Sequence, residues 1–368
     1  MKQFTKPDWN NSNLNISATL AEFLGAPNNN ATLPILKEEL IKNYKNIVFI
    51  CLDGFGIYPI EKNLKPNDFL RKNIVKTLTS TFPSTTTNAT TSLICNLKPL
   101  EHGWLGWTLH FDEINKNVDI YLHSDSLTGE KLDFTYPLAD NSNCYFDNAN
   151  SEYNITPILP GYVQTKSNNK IAITNEEELC NSIKEVCHKD GKQFIYAYYP
   201  DPDSTMHEFG VSSVEAKQKI EYINSKIEEL YNNVENTLFI ITADHGHIDV
   251  KGYIEFYNDT EINSLLSCTP YLDARTPAFI VKKGKEKEFE EKFNKKYGKD
   301  FKLFKTKDLI EQNYFGEKNK YGYLLGDYIA IGTHTNKMFL PHKNMPKFKG
   351  HHTSLTDEML VPLILLKK

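Results

Sequence analysis

The sequence lacks the features that mark membrane-spanning, exported and nucleic-acid-binding proteins. Its longest apolar runs, such as 360–366, are far shorter than the roughly 20 residues that cross a bilayer. The polar, Asn-rich segment 1–14 has no apolar stretch that could serve as the core of a signal peptide. A net charge of −5 and a pI near 6.1 leave no basic footprint for a nucleic-acid backbone. We therefore expect a soluble, cytoplasmic protein that binds neither membranes nor nucleic-acid polymers.

Cysteine pairs are missing, and arginine is nearly so. The six cysteines form no Cys-x-x-Cys pair, so thiolate metal sites are disfavoured and reduced thiols are expected. They are Cys51, Cys95, Cys144, Cys180, Cys187 and Cys268. Only Arg71 and Arg275 are arginines among 42 basic residues. The planar fork of Arg275, in D-A-R-T-P, suits either a phosphate of a substrate or a carboxylate in a structural ion pair.

Three continuous apolar, β-branched runs indicate a parallel sheet. Residues 46–52, 193–199 and 237–242 are typical of strands buried on both faces. Between the last two, 212–231 has the pattern of an amphipathic helix, with Ser212 and Glu215 at capping-box spacing. The predicted apolar face of that helix consists of Ile220, Ile223, Ile227 and Leu230. Strand, helix and strand together predict a βαβ unit in an α/β protein.

Acidic or imidazole groups follow each of these three strands. Asp53 follows the first, Asp203 the second, and Asp244 with His245 the third. Aspartate and glycine after a strand are ordinary turn residues, so a single such site would mean little. Ligands of open parallel sheets, however, bind outside the carboxyl ends of the strands. Three such clusters therefore favour a functional site at this edge.

A threonine-rich segment supplies candidate hydroxyl groups. Pro83 and Ser84 are suited to begin a helix, and the run 85–91 follows them directly. Backbone N–H groups at a helix start attract anions. Thr-rich helix starts are usually just caps, so this run is informative only together with the acidic clusters.

Together these residues form a candidate metal-ligand set. It comprises Asp53, Asp203, His207, Asp244, His245 and His352, with a hydroxyl from the threonine run. The spacing of four between Asp203 and His207 puts both on one side of a helical turn. Carboxylate and imidazole ligands without thiolates match zinc, and manganese or iron less well. Two such ions could clamp a phosphate and lower the pKa of a bound hydroxyl.

The same residues lie in motifs that resemble those of the alkaline phosphatase superfamily, and within it the type I phosphodiesterase and nucleotide pyrophosphatase family. The motifs occur in family-like order and spacing and cover both ends of the chain. They are L-D-G-F-G (52–56), F-P-S-T-T-T (82–87), E-H-G (101–103), D-S-T-M-H (203–207), T-A-D-H-G (242–246) and G-H-H-T-S-L-T-D-E-M-L-V-P (350–362).

This resemblance implies a fold and a reaction. The expected fold is α/β, a mostly parallel central sheet flanked by helices, with a smaller inserted lobe over the active site. We expect one domain, 1–368, whose lobe-forming insertions are approximately 105–171 and 251–341. The implied reaction is hydrolysis of phosphodiester or nucleotide pyrophosphate bonds in a small-molecule phosphate ester or nucleotide, through a phospho-threonine intermediate. Phosphomonoesterase, phosphonate hydrolase and phosphomutase activities remain alternatives, and a non-catalytic metal-stabilised module is a remote one.

Site roles also follow from the resemblance. It implies one ion, zinc with manganese as the alternative, held by Asp203, His207 and His352. A second such ion would be held by Asp53, Asp244, His245 and the nucleophile. Counting back ten residues from Asn96, where the family has a glycine, selects Thr86 as nucleophile, while Thr85 and Thr81 stay open. The spacing G-x-H selects His352 over His351, which is expected to be an exposed neighbour.

Two departures from the family pattern affect the expected chemistry. The family's phosphate-binding asparagine would fall near Trp107, so that contact is absent or supplied by another group such as Thr108. Trp107, Thr108 and Arg275 are therefore the candidate substrate-binding residues. No Cys-x-Pro-x-Arg signature occurs, because Cys95 is followed by N-L-K-P, and sulfate-ester hydrolysis is disfavoured.

Overall fold

The three strands predicted from apolar runs lie side by side in the computed structural model, which describes residues 4–368. They span Asn46–Leu52, Gln193–Tyr199 and Thr237–Thr242, as predicted, and every residue in them is buried. Continuous apolar runs specify such strands because both faces of the sheet are covered.

The described residues form eighteen strands, numbered here in chain order. They are β1 Asn46–Leu52, β2 Ile74–Thr79, β3 Thr108–Phe111, β4 Lys116–Asp119, β5 Ser124–Asp125, β6 Asn154–Pro160, β7 Ile171–Ile173, β8 Gln193–Tyr199, β9 Thr237–Thr242, β10 Ile248–Asp249, β11 Gly252–Glu255, β12 Tyr271–Asp273, β13 Thr276–Phe279, β14 Phe301–Lys305, β15 Tyr328–Gly332, β16 Lys337–Leu340, β17 Gly350–His351 and β18 Leu360–Lys367.

Thirteen α-helices occur in the same part of the chain. They are α1 Leu14–Phe23, α2 Pro34–Leu40, α3 Ile57–Asn63, α4 Phe69–Lys72, α5 Thr86–Cys95, α6 Pro99–His102, α7 Glu176–Cys187, α8 Asp203–Phe209, α9 Val214–Asn232, α10 Thr260–Asn263, α11 Glu286–Tyr297, α12 Thr306–Glu311 and α13 Thr356–Met359. Short 3-10 helices span Tyr145–Asn148, Phe256–Asn258 and Gly322–Leu325. None of the helices within residues 4–368 combines the length and apolarity needed to span a bilayer.

The central sheet has seven strands in the order β2-β18-β9-β1-β8-β6-β7. Strand β1 pairs in parallel with β8 and β9, and β6 pairs in parallel with β8 and β7. Only β18 runs antiparallel to its neighbours, β9 and β2. The predicted α/β fold with a mostly parallel sheet flanked by helices is therefore confirmed.

A second seven-stranded sheet, β14-β15-β13-β12-β3-β4-β5, is antiparallel in all its pairs. Both segments predicted to form the lobe contribute to it, since β3–β5 come from 105–171 and β12–β15 from 251–341. Strand β6, by contrast, lies within 105–171 but joins the central sheet. A separate apolar cluster beneath this second sheet includes Leu109, Leu272 and Ile329. The division of the chain into one domain with two insertions stays a prediction.

Helix α9 packs as predicted but begins differently. Ile220, Ile223, Ile227 and Leu230 are all buried along its inner face. The predicted capping box at Ser212 is wrong, because the helix starts at Val214 and the Ser213 hydroxyl accepts the Ala216 N–H at 3.0 Å. The Ser212 hydroxyl instead donates to Asp249 at 2.5 Å.

Helix α5 carries the threonine run. It begins at Thr86, two residues beyond the predicted Pro83–Ser84 start, with Thr85 in an extended conformation before it. It ends at Cys95, and the next residue, Asn96, has a φ of 54°, the left-handed conformation that a glycine commonly provides after a helix. His102 fixes the outer side of this helix, since its Nε2 lies 3.0 Å from the Ser92 hydroxyl and its Nδ1 accepts the Trp104 N–H.

Candidate metal centre

The carboxyl ends of three adjacent strands bring the predicted acidic residues together. In β9-β1-β8, Leu52 is paired with Tyr199 and Cys51 with Thr242, so the three strands end at one level. The backbone continues this pairing into the loops, because Asp53 N–H donates to Tyr199 and Asp203 N–H donates to the Asp53 carbonyl at 3.0 Å. The carboxylates therefore converge because the sheet aligns the strand ends.

The loops around these carboxylates pack backbone against backbone. A Cβ placed on Gly56 would overlap the Cα of Gly246, and one placed on Gly246 would overlap the Asp357 carbonyl. The loops after β1 and β9 and helix α13 therefore meet without an intervening side chain. This close packing fixes the separation of the residues that the loops carry.

Four side chains form a first group of possible metal ligands. Asp203, His207, His247 and His352 each offer an atom within 4.8 Å of the others. From Asp203, Oδ2 lies 3.4 Å from His207 Nε2, and Oδ1 lies 3.1 Å from His247 Nε2. His352 Nε2 is 3.8 Å from the same Oδ1. Ligand atoms on a tetrahedral zinc ion lie about 3.3 Å apart, which these separations approach.

A second group consists of Asp53, Asp244 and His245, all buried. His245 Nε2 lies 3.3 Å from Asp53 Oδ1 and 3.5 Å from Asp244 Oδ2. The Thr86 hydroxyl is 3.2 Å from His245 Nε2 and 3.5 Å from Asp53 Oδ2. The structure thus brings together six predicted ligands and Thr86 in two adjoining groups, linked by the stacked rings of His245 and His352 at 3.7 Å.

Backbone carbonyls orient three of the imidazoles. The Nδ1 atoms of His207, His245 and His352 lie 2.8 to 2.9 Å from the carbonyls of Gly350, Gly246 and Ser84, respectively. A carbonyl only accepts, so each Nδ1 carries the proton and each Nε2 keeps its lone pair. This is the arrangement that a metal-ligating histidine requires.

The carboxylates carry unpartnered oxygens in the same space. Asp53 Oδ1, Asp203 Oδ1 and Asp244 Oδ2 are buried without a hydrogen-bond partner. Burial, together with the charges of Asp244 and Asp203, raises the pKa of Asp53 well above its ordinary value. Burial likewise raises the pKa of Asp244 and holds the pKa of His352 well below 6.5. Three acidic groups beside a neutral imidazole need positive charge, so divalent cations fit the residues present.

The three candidate nucleophiles occupy different surroundings. Thr86 is half-buried and borders both the cavity and the second group. Thr85 is buried, and its side chain lies beside Asp273, whose pKa it lowers. Thr81 is fully buried and its hydroxyl has no partner. Only Thr86 of the three combines access to the cavity with contact to the second group.

A cavity of about 410 Å³ opens over the two groups. Its floor includes Thr86, His207 and His352, and the second sheet and segment 341–348 form its walls. Trp107 and Thr108 both border it, as predicted for substrate-binding residues, although binding itself remains a prediction. The Thr108 hydroxyl donates to Asp119 at 2.6 Å, so its proton is already engaged.

Arg275 does not border the cavity, which corrects its predicted contact with substrate. It is 0% exposed and its Nε donates to Glu358, while Nη1 donates to the Lys337 carbonyl at 2.9 Å. Glu358 in turn accepts the N–H groups of Ser354 and Leu355. The arginine therefore belongs to a buried ion pair that fixes the loop after His352.

His351 is buried, so the prediction that it is exposed is wrong. It is 5% exposed, and its strand, β17, pairs with β10, where it lies opposite Ile248. Its Nδ1 accepts the His352 N–H at 2.9 Å, and its ring lies 5.1 Å from that of His207. His351 thus contacts two candidate ligands, His207 and His352, without belonging to either ligand group.

Sequence reasoning missed three residues of the site. His247 belongs to the first group. The Tyr198 hydroxyl donates a hydrogen bond to Asp53. Asp273 borders the cavity, and burial raises the pKa of its carboxyl to about 7. The spacing D-H-G-H could have indicated His247, which stands two residues after a predicted ligand. No sequence signal marks Tyr198 or Asp273, since each sits in an ordinary strand pattern.

Comparisons with known proteins agree with this geometry. The sequence model of a family described as type I phosphodiesterase / nucleotide pyrophosphatase matches residues 47–354. That range contains every residue of both groups. No curated protein matched the chain in sequence.

Solved structures share the fold at low identity. Murine ectonucleotide pyrophosphatase / phosphodiesterase 5 is similar with a TM-score of 0.63 and 18% identity, over 86% of this chain and 87% of that one. A structure of its variant, described as inactive, has a threonine replaced by alanine and AMP bound. It is similar with a TM-score of 0.62 and 18% identity, over 86% of this chain and 87% of that one. Phosphonoacetate hydrolase from Sinorhizobium meliloti, with phosphonoformate, gives 0.61 at 11% identity, over 86% of this chain and 89% of that one.

The buried ion pair of Arg275 generates a prediction about stability. Lysine keeps the charge but lacks the planar fork that reaches both Glu358 and the Lys337 carbonyl. Arg275→Lys should therefore lower the free energy of unfolding by about 2–4 kcal/mol, less than the about 3–5 kcal/mol that complete loss of a buried partner costs. Arg71→Lys, which changes the other, half-buried arginine, is the matched control and should cost less than about 1 kcal/mol. Urea unfolding of both variants measures this. An unchanged stability of Arg275→Lys with substrate-dependent loss of activity would restore the predicted role in substrate binding.

Proposed function

Because the chain belongs to the type I phosphodiesterase / nucleotide pyrophosphatase family, we propose that it hydrolyses phosphodiester or nucleotide pyrophosphate bonds through a phospho-threonine intermediate on Thr86. The family is one of phosphoric ester hydrolases, which makes the chain an enzyme of that class. The particular bond, the nucleophile and the roles of individual residues are the proposal.

One observation carries the proposal: the Thr86 hydroxyl meets the second ligand group at the floor of the cavity. Its oxygen lies within 3.5 Å of Asp53 and His245, and the residue borders the open space above. A phosphorus atom in that space can be approached by this oxygen. The inactive variant of the murine relative, in which alanine replaces a threonine, is compatible with the same role here.

The proposed cofactors are two divalent metal ions, zinc in the first instance and manganese as the alternative. We assign Asp203, His207 and His352 to one ion, and Asp53, Asp244, His245 and Thr86 to the other. Imidazole and carboxylate ligands without sulfur suit zinc. When bound, such ions would lower the pKa of the threonine hydroxyl and offset charge on the phosphoryl oxygens.

The covalent steps conserve atoms and charge. The Thr86 oxygen loses its proton and forms a bond to phosphorus, while the bond from phosphorus to the leaving oxygen breaks and that oxygen takes up a proton. Water then attacks the same phosphorus and the Oγ–P bond breaks, which restores the Thr86 hydroxyl. One water molecule is consumed in each cycle. Backbone N–H groups of the first turn of α5, which have no acceptor within the helix, are available to the phosphoryl oxygens.

The cavity favours a substrate with an organic substituent on the phosphate. Its walls are largely apolar and include Trp107, Tyr271 and Phe348, which can cover a base or another ring. No lysine or arginine borders it in the part of the chain that the structure describes. Burial lowers the pKa of the wall residue His342 below its ordinary value of 6.5, so its neutral form predominates at pH 7. The extra charge of a monoester would therefore find no cation here.

Metal removal is the first test of the proposal. Dialysis against a chelator should abolish turnover and lower the melting temperature by several degrees, and zinc or manganese should restore both, because each ion at about 100 times its Kd stabilises by about 2.7 kcal/mol. Full activity in a demonstrably metal-free sample would contradict the proposal.

The stabilisation by metal should depend on pH. The raised pKa values of Asp53 and Asp244 mean that these carboxyls take up protons at a higher pH than an exposed aspartate does, and a cation must displace those protons. Metal and protons therefore compete, and the difference in melting temperature between loaded and metal-free protein should be larger at pH 8 than at pH 5.5. Scanning calorimetry of both forms at the two pH values measures it.

Substitution of Thr86 tests the nucleophile. Thr86→Ala should keep the bound metal, since six ligands remain, but reduce kcat by several orders of magnitude. Thr86→Ser keeps the attacking oxygen and should retain partial activity. Thr85→Ala and Thr81→Ala are the controls, and both should remain within about tenfold of the unmodified enzyme. Near-normal activity of Thr86→Ala with an inactive Thr85→Ala or Thr81→Ala would reassign the nucleophile.

Preference for diesters tests the proposed substrate class. The value of kcat/KM should be higher for a nitrophenyl nucleotide diester than for nitrophenyl phosphate, because the cavity offers an apolar wall and no free cation. Phosphonoacetate belongs in the same panel as a probe of phosphonate hydrolysis. A monoester preference of about tenfold or more, or turnover of phosphonoacetate alone, would favour the other activities of the superfamily.

A further inference from the structure

His247 is a fourth imidazole in the first ligand group, and the sequence motifs give it no role. Its side chain is 0% exposed, and neither ring nitrogen has a hydrogen-bond partner. Buried polar atoms of a folded protein are almost always satisfied, so an unpartnered imidazole requires an explanation. An absent ligand at one of its nitrogens would provide one.

The short ladder between β10 and β17 places this ring beside His352. Ile248 is paired with His351 and Asp249 with Gly350, so the next residues in antiparallel register are His247 and His352. Gly350 leaves room for the ring, since a Cβ at that position would lie 2.8 Å from His247 Cε1 and 2.9 Å from Nδ1. The backbone therefore packs directly on the ring and holds it in place.

The ring points its Nε2 at the carboxylate that the other two histidines approach. Asp203 Oδ1 lies 3.1 Å from His247 Nε2 and 3.8 Å from His352 Nε2, and it has no hydrogen-bond partner. The ring centroids of His247 are 4.7 Å from His207 and 5.4 Å from His352. One carboxylate faced by three imidazoles within such distances matches the mutual separations of ligands around one ion.

A histidine that only donates a proton to Asp203 explains these contacts less well. Its Nε2 lies near the oxygen, but the contact does not have the geometry of a hydrogen bond. The Nδ1 atoms of His207, His245 and His352 all donate to backbone carbonyls, whereas that of His247 has no acceptor. If His247 only donated hydrogen bonds, neither of its ring nitrogens would have an acceptor with suitable geometry.

We propose that His247 is a fourth protein ligand of the metal ion held by Asp203, His207 and His352. This inference rests on the proposed two-metal site. Three imidazoles and one carboxylate close a tetrahedral set, whereas the other ion has only three such ligands, Asp53, Asp244 and His245, besides the reacting Thr86 hydroxyl. The ion in the closed set should therefore bind more tightly and exchange more slowly than the ion next to the nucleophile.

Zinc binding to the full-length protein tests the assignment without any substrate. The unmodified protein, stripped with a chelator, should bind two zinc ions with different affinities in competition with a chromogenic chelator. His247→Gln should weaken the tighter ion by about 100-fold or more, because loss of even an outer partner of a ligand costs about 10–100-fold. The weaker ion should keep its affinity within about threefold.

The choice of glutamine separates a ligand from a hydrogen-bond donor. Its amide nitrogen can occupy the place of Nε2 and still donate to Asp203, but an amide is a poor ligand for zinc. Unchanged affinity for both ions in His247→Gln would therefore overturn the inference. His110→Gln is the matched control, because it makes the same change at another buried histidine that lies outside both ligand groups. It should bind both ions normally.

A second measurement does not depend on a variant. In a crystal structure of the unmodified protein with zinc, the distance from the ion to His247 Nε2 should be about 2.0–2.1 Å. A distance above about 3 Å with the ion on Asp203, His207 and His352 would exclude the fourth ligand. If the unmodified protein bound no zinc or manganese at all, the proposed two-metal site itself would fail. If the unmodified protein bound two zinc ions and His247→Gln changed neither affinity, the two-metal site would stand and only the fourth ligand would be excluded.

Discussion

The mutual repulsion of three buried carboxylates is the constraint on which the site depends. Asp53, Asp203 and Asp244 lie together with little exposure to solvent, and each keeps an oxygen without a partner. At an effective dielectric constant near 20, two unit charges about 4 Å apart repel by about 4 kcal/mol. Only a fold that is held by other interactions can bring them so close. The central sheet supplies those interactions through buried, parallel strands on both sides of β1.

The loops transmit the order of the sheet to the side chains. Gly56 and Gly246 allow backbone to meet backbone, so no side-chain rotamer separates the loops after β1 and β9. The Arg275–Glu358 pair also fixes the position of a proposed ligand, because Glu358 accepts an N–H group of the turn that follows His352. A change at either place would alter the separations within the ligand groups without touching a ligand. We regard these contacts as the support of the proposed metal centre.

The central sheet could be predicted from the sequence because its signals are local. The strands 46–52, 193–199 and 237–242 have the same ends in prediction and structure, and the acidic residues after them meet as expected. The position of His207 also follows from local helical spacing. Where burial on both faces of a strand is the rule, the sequence carries enough information by itself.

Predictions failed where distant segments meet. Exposure of His351 was predicted wrongly, and His247 was missed, because both depend on a ladder of two residues per strand between segments about 100 positions apart. No periodicity can develop in so short a strand. Arg275 was assigned two possible partners, and only the tertiary structure brings Glu358 to it. Non-local pairing thus decided each of these outcomes.

The residues proposed for the reaction and those that border the substrate cavity belong to different parts of the fold. The proposed ligands and Thr86 sit on the loops and the helix start at the edge of the central sheet, whereas the cavity wall comes from β3, β4, β12 and segment 341–348. The second sheet has its own apolar core, so residues of the wall can change without disturbing the carboxylates below. Trp107 and Asp119 belong to this wall, and neither contributes to the two ligand groups. Substrate preference can therefore vary without change to the carboxylates and imidazoles of the proposed metal centre.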